Sequence, residues 1–127
     1  MTDAPSGPAA PALRTPICDL FGVRYPVVQT AMGYVAGARL VSATANAGGL
    51  GIIAGATLSM DELVATIRRT RERTDAPFGV NLRADAVDAS ERVDLLIRER
   101  VRVASFALAP KPDLIKRLKD AGIVVVA

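Results

Sequence analysis

Short apolar runs alternate with segments of helical spacing along the chain after residue 12, and this alternation restricts the fold more than any other sequence feature. A strand followed by a helix occurs four times before a last apolar run, with no long linker between the units. Such alternation predicts a parallel α/β sheet with right-handed crossovers. The predicted strands lie at about 27–30, 50–54, 78–82, 101–108 and from 123, and the predicted helices at about 38–47, 59–73, 89–100 and 112–121.

Two architectures fit five strands and four helices. One is a small, open, doubly wound sheet, and the other is the first half of a TIM barrel of eight (β/α) units, which needs about 250 residues. The barrel half is favoured, because the last residues are an apolar strand with no helix after it to cover it. We therefore expect residues 13–127 to form the N-terminal half of a barrel, ending at strand five, after a flexible Ala/Pro-rich tail over 1–12.

The helix boundaries carry recognisable capping signals. Ser59-x-x-Glu62 is a capping box that precedes an apolar stripe at i, i+3, i+4 and i+7. Asp88 and Glu91 have the same spacing ahead of the third long helix, which predicts capping and not acid–base chemistry. Thr15–Pro16 predicts the start of a short helix that plugs the end of the sheet away from the ligand.

A ligand is expected at the carboxyl ends of the strands, because parallel α/β sheets bind ligands there. The first strand runs into the small residues Ala31-Met32-Gly33, a loop that lets a flat ligand lie against backbone amides. Asn81 lies near the end of the third strand. Its residue type alone is equally consistent with a ligand contact and with a hydrogen bond to a neighbouring loop. On the same grounds, Met32 is more typical of a core filler.

The run Gly49-Leu-Gly-Ile-Ile-Ala54 formally matches the G-x-G-x-x-A pattern of dinucleotide sites. In those sites the glycines follow a strand and open a helix, so that the phosphates meet the helix N-terminus. Here the glycines follow a helix and open a strand. We therefore predict a helix end at Gly48 or Gly49 and close packing of helix on sheet.

Composition excludes several function classes. The chain has no histidine, so it contains no Ser–His or Cys–His pair and no histidine metal site, and we predict no metal. A net charge of +3 with 4% aromatic residues is weak for a nucleic-acid surface. The single Cys18 predicts a packing thiol in a reducing compartment. Since no segment reads as a membrane span or signal peptide, we expect a cytoplasmic protein with a small-molecule substrate.

Four segments carry a family resemblance. They read Pro-Val-Val-Gln-Thr-Ala-Met-Gly at 26–33, Val-Ala-Gly at 35–37, Asn-Ala-Gly-Gly-Leu-Gly-Ile at 46–52 and Thr-Asp-Ala-Pro-Phe-Gly-Val-Asn at 74–81. In this order and spacing they resemble the nitronate monooxygenase (2-nitropropane dioxygenase-like) family of FMN-dependent TIM barrels. The run 27–51 is most similar to a branch implicated in steroid-ring degradation.

The resemblance implies FMN as the cofactor. It implies that Ala31, Met32 and Gly33 lie against the isoalloxazine ring, that Asn81 is a flavin-contacting amide, and that Ser105 is on the substrate side. Family members carry the catalytic histidine and the loops for the FMN phosphate in the second half of the barrel. No catalytic residue is therefore expected in this chain, and that histidine is expected beyond Ala127.

The resemblance also implies an oxidoreductase of the nitronate monooxygenase type, which oxidises nitronates with oxygen through the flavin. The same half-barrel serves a flavin-mediated, NAD(P)H-dependent reduction of an enoyl or cyclic enone thioester, and the residues present do not separate the two. A third interpretation is a truncated, non-catalytic fragment or assembly module, since an exposed strand edge invites pairing with another chain. For a complete barrel we expect a homo-oligomer or the missing C-terminal half.

Overall fold

Helices and strands alternate as the sequence predicts. The computed structural model describes residues 13–127, so the tail predicted over 1–12 lies outside the described residues. None of the helices in this range combines the length and the apolar character that crossing a bilayer requires. The elements are α1 (Pro16–Phe21), β1 (Val28–Gln29), α2 (Ala38–Asn46), β2 (Leu50–Ala54), a 3₁₀ turn (Gly55–Thr57), α3 (Met60–Arg73), β3 (Gly79–Arg83), α4 (Ala89–Arg98), β4 (Val103–Ala107), α5 (Pro112–Asp120) and β5 (Val124–Val126).

The five strands form one sheet in the order β1-β2-β3-β4-β5, and every neighbouring pair is parallel. Each crossover therefore advances by one strand in the same direction. A doubly wound sheet reverses direction at a switch point, so that alternative is wrong. The sequential order is that of the first half of a TIM barrel, as predicted.

Most of the core lies between the sheet and its covering helices. Ile53 of β2 and Val80 and Leu82 of β3 are fully buried in this layer. The helices contribute Val41 from α2, Leu63 and Ile67 from α3, Val93 and Leu96 from α4, and Leu114 and Leu118 from α5. Full burial of each large side chain stabilises the fold by about 1.5–3 kcal/mol.

A smaller apolar cluster lies on the opposite face of the sheet, because successive strand residues such as Ile52 and Ile53 point to opposite sides. This cluster consists of Phe21, Val23, Leu50, Ile52 and Val103. Arg102, just before β4, donates to the carbonyl of Leu20 in α1 at 2.7 Å. Helix α1 therefore covers the amino end of the sheet, as predicted, and Cys18 is a buried packing thiol.

Several helix ends follow their sequence signals. The capping box before α3 is complete, because Ser59 Oγ accepts from the Glu62 N–H at 3.2 Å and Glu62 Oε2 accepts from the Ser59 N–H at 2.8 Å. Gly48 after α2 and Gly122 after α5 have φ values of 99° and 78°. That left-handed backbone favours glycine and ends both helices.

Two predicted N-cap residues lie at the predicted positions but make no cap bond. Thr15 and Asp88 are the N-cap residues of α1 and α4, and Pro16 opens α1 as predicted, but neither side chain makes a capping hydrogen bond. For Asp88 the reason is a competing partner, since its carboxylate accepts from Nε of Arg92 at 2.9 Å. The guanidinium offers this carboxylate a charged donor, whereas a cap bond would offer it only a neutral backbone N–H.

The capping box gives a direct stability test. In Ser59→Ala we expect the free energy of unfolding to fall by about 1 kcal/mol, because the Glu62 N–H loses its acceptor. Urea unfolding followed by circular dichroism measures this change. Thr15→Ala is the matched control, since Thr15 precedes a helix without capping it, and equal losses in the two variants would contradict the assignment.

Candidate functional site

The residues predicted for the site meet at the carboxyl end of the sheet. Asn81 in β3 is paired with Ala54, the last residue of β2, and with Ser105 of β4. The loop after β1 reaches the same edge, because the Ala54 N–H donates to the Ala36 carbonyl at 3.1 Å. Met32 and Asn81 thus belong to the same end of the sheet, while their roles in ligand binding stay predictions.

The loop after β1 is a tight turn with free backbone amides. The N–H groups of Val35 and Ala36 both donate to the Met32 carbonyl, at 3.1 and 2.8 Å. Tyr34 has a φ of 64°, in the left-handed region that few non-glycine residues occupy. Within residues 13–127, the N–H groups of Gly33 and Tyr34 donate to no other backbone group. Two adjacent amides therefore remain for a ligand.

Several apolar side chains of this loop are exposed, including Met32, for which residue type alone favours burial. Met32 is 43% exposed, so its interpretation as a core filler is wrong. Tyr34 and Val35 are 95% and 61% exposed. Ala31 is half-buried against the smaller apolar cluster, on the face of the sheet opposite the helices. A group of exposed apolar side chains beside free amides is typical of a binding surface.

Two glycines allow close packing at this edge. A Cβ on Gly33 would lie 3.3 Å from Cγ2 of Thr57, so the loop after β1 rests on the 3₁₀ turn. A Cβ on Gly55 would lie 2.5 Å from the carbonyl oxygen of Asn81. The 3₁₀ turn therefore touches both parts of the predicted site.

Asn81 and Ser105 form a hydrogen-bonded pair on neighbouring strands. Nδ2 of Asn81 donates to Oγ of Ser105 at 2.9 Å, and Ser105 is 8% exposed while Asn81 is half-buried. Within residues 13–127, Oδ1 of Asn81 accepts from no side chain and from no backbone N–H, and the bond to Ser105 is the one bond of its side chain. The amide therefore retains an acceptor and one N–H for a further partner.

Sequence reasoning missed an ion pair at the same edge. Arg83 is the last residue of β3, two positions beyond Asn81 and so on the same face of the sheet. Its guanidinium donates to both carboxylate oxygens of Asp85, at 2.9 and 2.8 Å. This hydrogen bond raises the pKa of Arg83 and lowers the pKa of Asp85. The spacing Arg-x-Asp directly after a strand is the signal that could have found it.

A second missed residue is Arg92 in α4, which is only 9% exposed. Besides Asp88, its guanidinium donates to the carbonyl of Gly55 at 2.8 Å and to the carbonyl of Leu58 at 2.7 Å. These carbonyls belong to the turn after β2. The sequence signals the i, i+4 pair of Asp88 and Arg92, but no local pattern shows the bonds to the distant turn.

Comparison with known proteins gives one matching family model. The model described as nitronate monooxygenase matches residues 14–92. A Mycobacterium tuberculosis protein named (3aS,4S,5R,7aS)-5-hydroxy-7a-methyl-1-oxo-octahydro-1H-indene-4-carboxyl-CoA dehydrogenase is 68% identical over 114 residues, which cover 90% of this chain and 32% of that protein. A probable nitronate monooxygenase of Staphylococcus saprophyticus is 40% identical over 70 residues, which cover 55% of this chain and 20% of that protein. The chain thus spans at most about a third of the length of these relatives.

Solved structures share the sheet described above. FabK from Thermotoga maritima superposes with a TM-score of 0.84 at 34% identity, over 88% of this chain and 36% of that chain. A nitroalkane oxidase from Streptomyces ansochromogenes superposes with a TM-score of 0.74 at 28% identity, over 86% of this chain and 41% of that chain.

Proposed function

The chain belongs to the nitronate monooxygenase family, and we propose that it supplies one wall of the cofactor site of an FMN-dependent oxidoreductase. The observation that carries this proposal is the placement of two kinds of group at one edge of the sheet. The free amides of Gly33 and Tyr34 and the side-chain amide of Asn81 all belong to its carboxyl end. Ligands of parallel α/β folds bind at this end.

The residues at this edge fit a flat aromatic cofactor. The loop over 31–33 has small side chains on either side of the exposed Met32, so a planar ring can approach its backbone. Asn81 can donate to and accept from ring atoms that carry both kinds of group. FMN, when bound, supplies the electron transfer, while the protein supplies binding and orientation.

The chain's own residues act here by hydrogen bonding. Neither the Asn81 amide nor the Ser105 hydroxyl takes up a proton at neutral pH, and the chain has no histidine. Ser105 lies beside Asn81 and orients its amide through their hydrogen bond. We propose that Asn81 faces the cofactor and Ser105 the substrate side.

The family description favours oxidation of nitronates with oxygen as the activity. A second candidate is oxidoreduction of a coenzyme A thioester, such as flavin-mediated reduction of an enone thioester with NAD(P)H. The 68% identity to a protein named as a carboxyl-CoA dehydrogenase favours this second candidate, because it extends over 90% of this chain. We further propose a cytoplasmic protein whose partner is a small-molecule substrate, with the barrel completed by a second copy or a C-terminal half.

FMN binding tests the proposal directly. We expect binding to shift the visible absorption band of FMN, quench its fluorescence and raise its anisotropy. The chain is titrated into FMN up to roughly 1 mM, because half-saturation at that concentration means a binding free energy of about 4 kcal/mol. Riboflavin is the matched control ligand and should bind with a similar Kd, because the proposed contacts are to the ring and not to the phosphate. Unchanged FMN spectra and anisotropy over this range would contradict the proposal and leave the non-catalytic module as the better interpretation.

The two activities are separated by their substrates. If the completed barrel is a nitronate-oxidising enzyme, its oxygen consumption should depend on the nitronate of a simple nitroalkane. If it acts on coenzyme A thioesters, NAD(P)H oxidation should depend on an enone thioester and the nitronate should be inert.

A further inference from the structure

We infer that Arg92 is a positioning residue for the proposed flavin wall: it fixes the turn after β2, on which both the loop over 31–33 and Asn81 rest. The inference depends on the proposed function, but its physical core is a set of contacts within this chain. It assigns a role in the site to a buried side chain on the far side of the sheet from the ligand.

The contacts of Arg92 span the turn from end to end. Gly55 is the first residue of the 3₁₀ turn and Leu58 is the residue after it, and both carbonyls accept from the one guanidinium. The third bond, to Asp88, supplies the opposite charge that a buried cation needs. Charge-assisted bonds of 2.7–2.9 Å are among the strong hydrogen bonds of proteins.

The 3₁₀ turn packs against both parts of the site, the loop over 31–33 and Asn81. A Cβ on Gly33 would lie only 3.3 Å from Cγ2 of Thr57, so the turn limits how closely the loop that carries the free amides can approach the sheet. Gly55 abuts the carbonyl oxygen of Asn81, so the turn also limits how that strand residue can shift. Binding groups must be held within about 0.5 Å of their productive positions, and a rigid turn between the two parts meets this requirement.

The test compares Arg92→Met with Arg117→Met, at a temperature where both variants are folded. Arg117 is a matched control, because it bonds Ser90 and Asp94 of α4 and makes no bond to the turn. We expect Arg92→Met to raise the Kd for FMN at least about 10-fold, the equivalent of about 1.4 kcal/mol, and Arg117→Met to leave it within about 3-fold. Arg92→Lys should recover part of the affinity, since an ammonium can reach one or two of the three acceptors but lacks the planar fork.

Amide hydrogen exchange provides a readout that needs no cofactor. In Arg92→Met, the N–H groups of Val35, Ala36, Ala54 and Leu58 should exchange at least about 10-fold faster than in the wild type, while α5 amides should not change. If wild-type chain fails to bind FMN, the proposed function fails, and the exchange rates still decide the role of Arg92. Equal Kd values for the two methionine variants, or unchanged exchange at Val35 and Ala36, would overturn the inference. Should Arg92→Met not fold, Arg92→Lys gives the same two measurements.

Discussion

In Gly51→Ala, the free energy of unfolding should fall by about 3 kcal/mol, which is at the upper end for overpacking a core. A Cβ on Gly51 would lie 2.6 Å from the carbonyl oxygen of Val41 and 2.9 Å from its Cα. Both are backbone atoms of α2, so no side-chain rotation can relieve the contact. Helix α2 would have to move away from β2 and loosen the fully buried Val41. Urea unfolding of this chain, followed by circular dichroism, measures the loss.

Gly37→Ala is the matched control for Gly51→Ala. Gly37 is the N-cap residue of α2, a Cβ there meets nothing within 4 Å, and its φ is −96°. The same substitution should therefore lower the free energy of unfolding by no more than about 1 kcal/mol, which is the cost of alanine in place of glycine at an N-cap. An unfolding midpoint for Gly51→Ala equal to that of the wild type would contradict the close approach of α2 to β2.

The glycine-rich segment Gly48-Gly-Leu-Gly51 shows how much of the fold the sequence could predict. Its position after a helix and before a strand was enough to exclude a dinucleotide site and to predict a helix end, which the φ of Gly48 confirms. Close packing of helix on sheet was also predicted, but not that Gly51 makes the contact. Periodicity indicates which face of an element is buried, and it does not give the distance between two elements.

The choice between two architectures depended on the final apolar run and on the family resemblance, and not on the alternation itself. Alternating strands and helices predict parallel pairing, but they do not say on which side of the previous strand the next one pairs. The observed order β1-β2-β3-β4-β5 resolves this. It depends on how each helix packs across the sheet, which is a property of the whole core.

The candidate site was predictable in outline. Strand-end positions were enough to place the loop over 31–33 and Asn81 at one edge, whereas the bond from Asn81 to Ser105 depends on the register of β3 against β4. The bonds of Arg92 join residues 34 and 37 positions apart, and no local signal predicts such partners. Residue type alone favoured a core position for Met32, but the side chain is 43% exposed, so apolar character by itself did not place it.

Asn81→Leu should have the largest effect on cofactor binding. The substitution keeps a side chain of similar size but removes the amide proposed to contact the flavin. We expect the Kd for FMN to rise about 10- to 100-fold, since a lost hydrogen bond that leaves a buried partner unsatisfied costs about 1–3 kcal/mol. Ser105, at 8% exposed, loses its partner as well, so the free energy of unfolding should fall by a similar amount. FMN titration by fluorescence and urea unfolding measure the two effects separately.

Asn46→Leu separates the binding effect of Asn81→Leu from its effect on stability. Asn46 is also a half-buried amide bonded to a hydroxyl, accepting from Oγ1 of Thr74 at 2.6 Å, but it lies at the end of α2 that faces the amino end of the sheet. Its replacement should lower the free energy of unfolding by about 1–3 kcal/mol, like that of Asn81, yet leave the Kd for FMN within about 3-fold. If both variants weaken FMN binding equally, the loss follows from general destabilisation and Asn81 is not a cofactor contact. If only Asn81→Leu does so, the amide acts at the carboxyl edge, where the free amides of Gly33 and Tyr34 also lie.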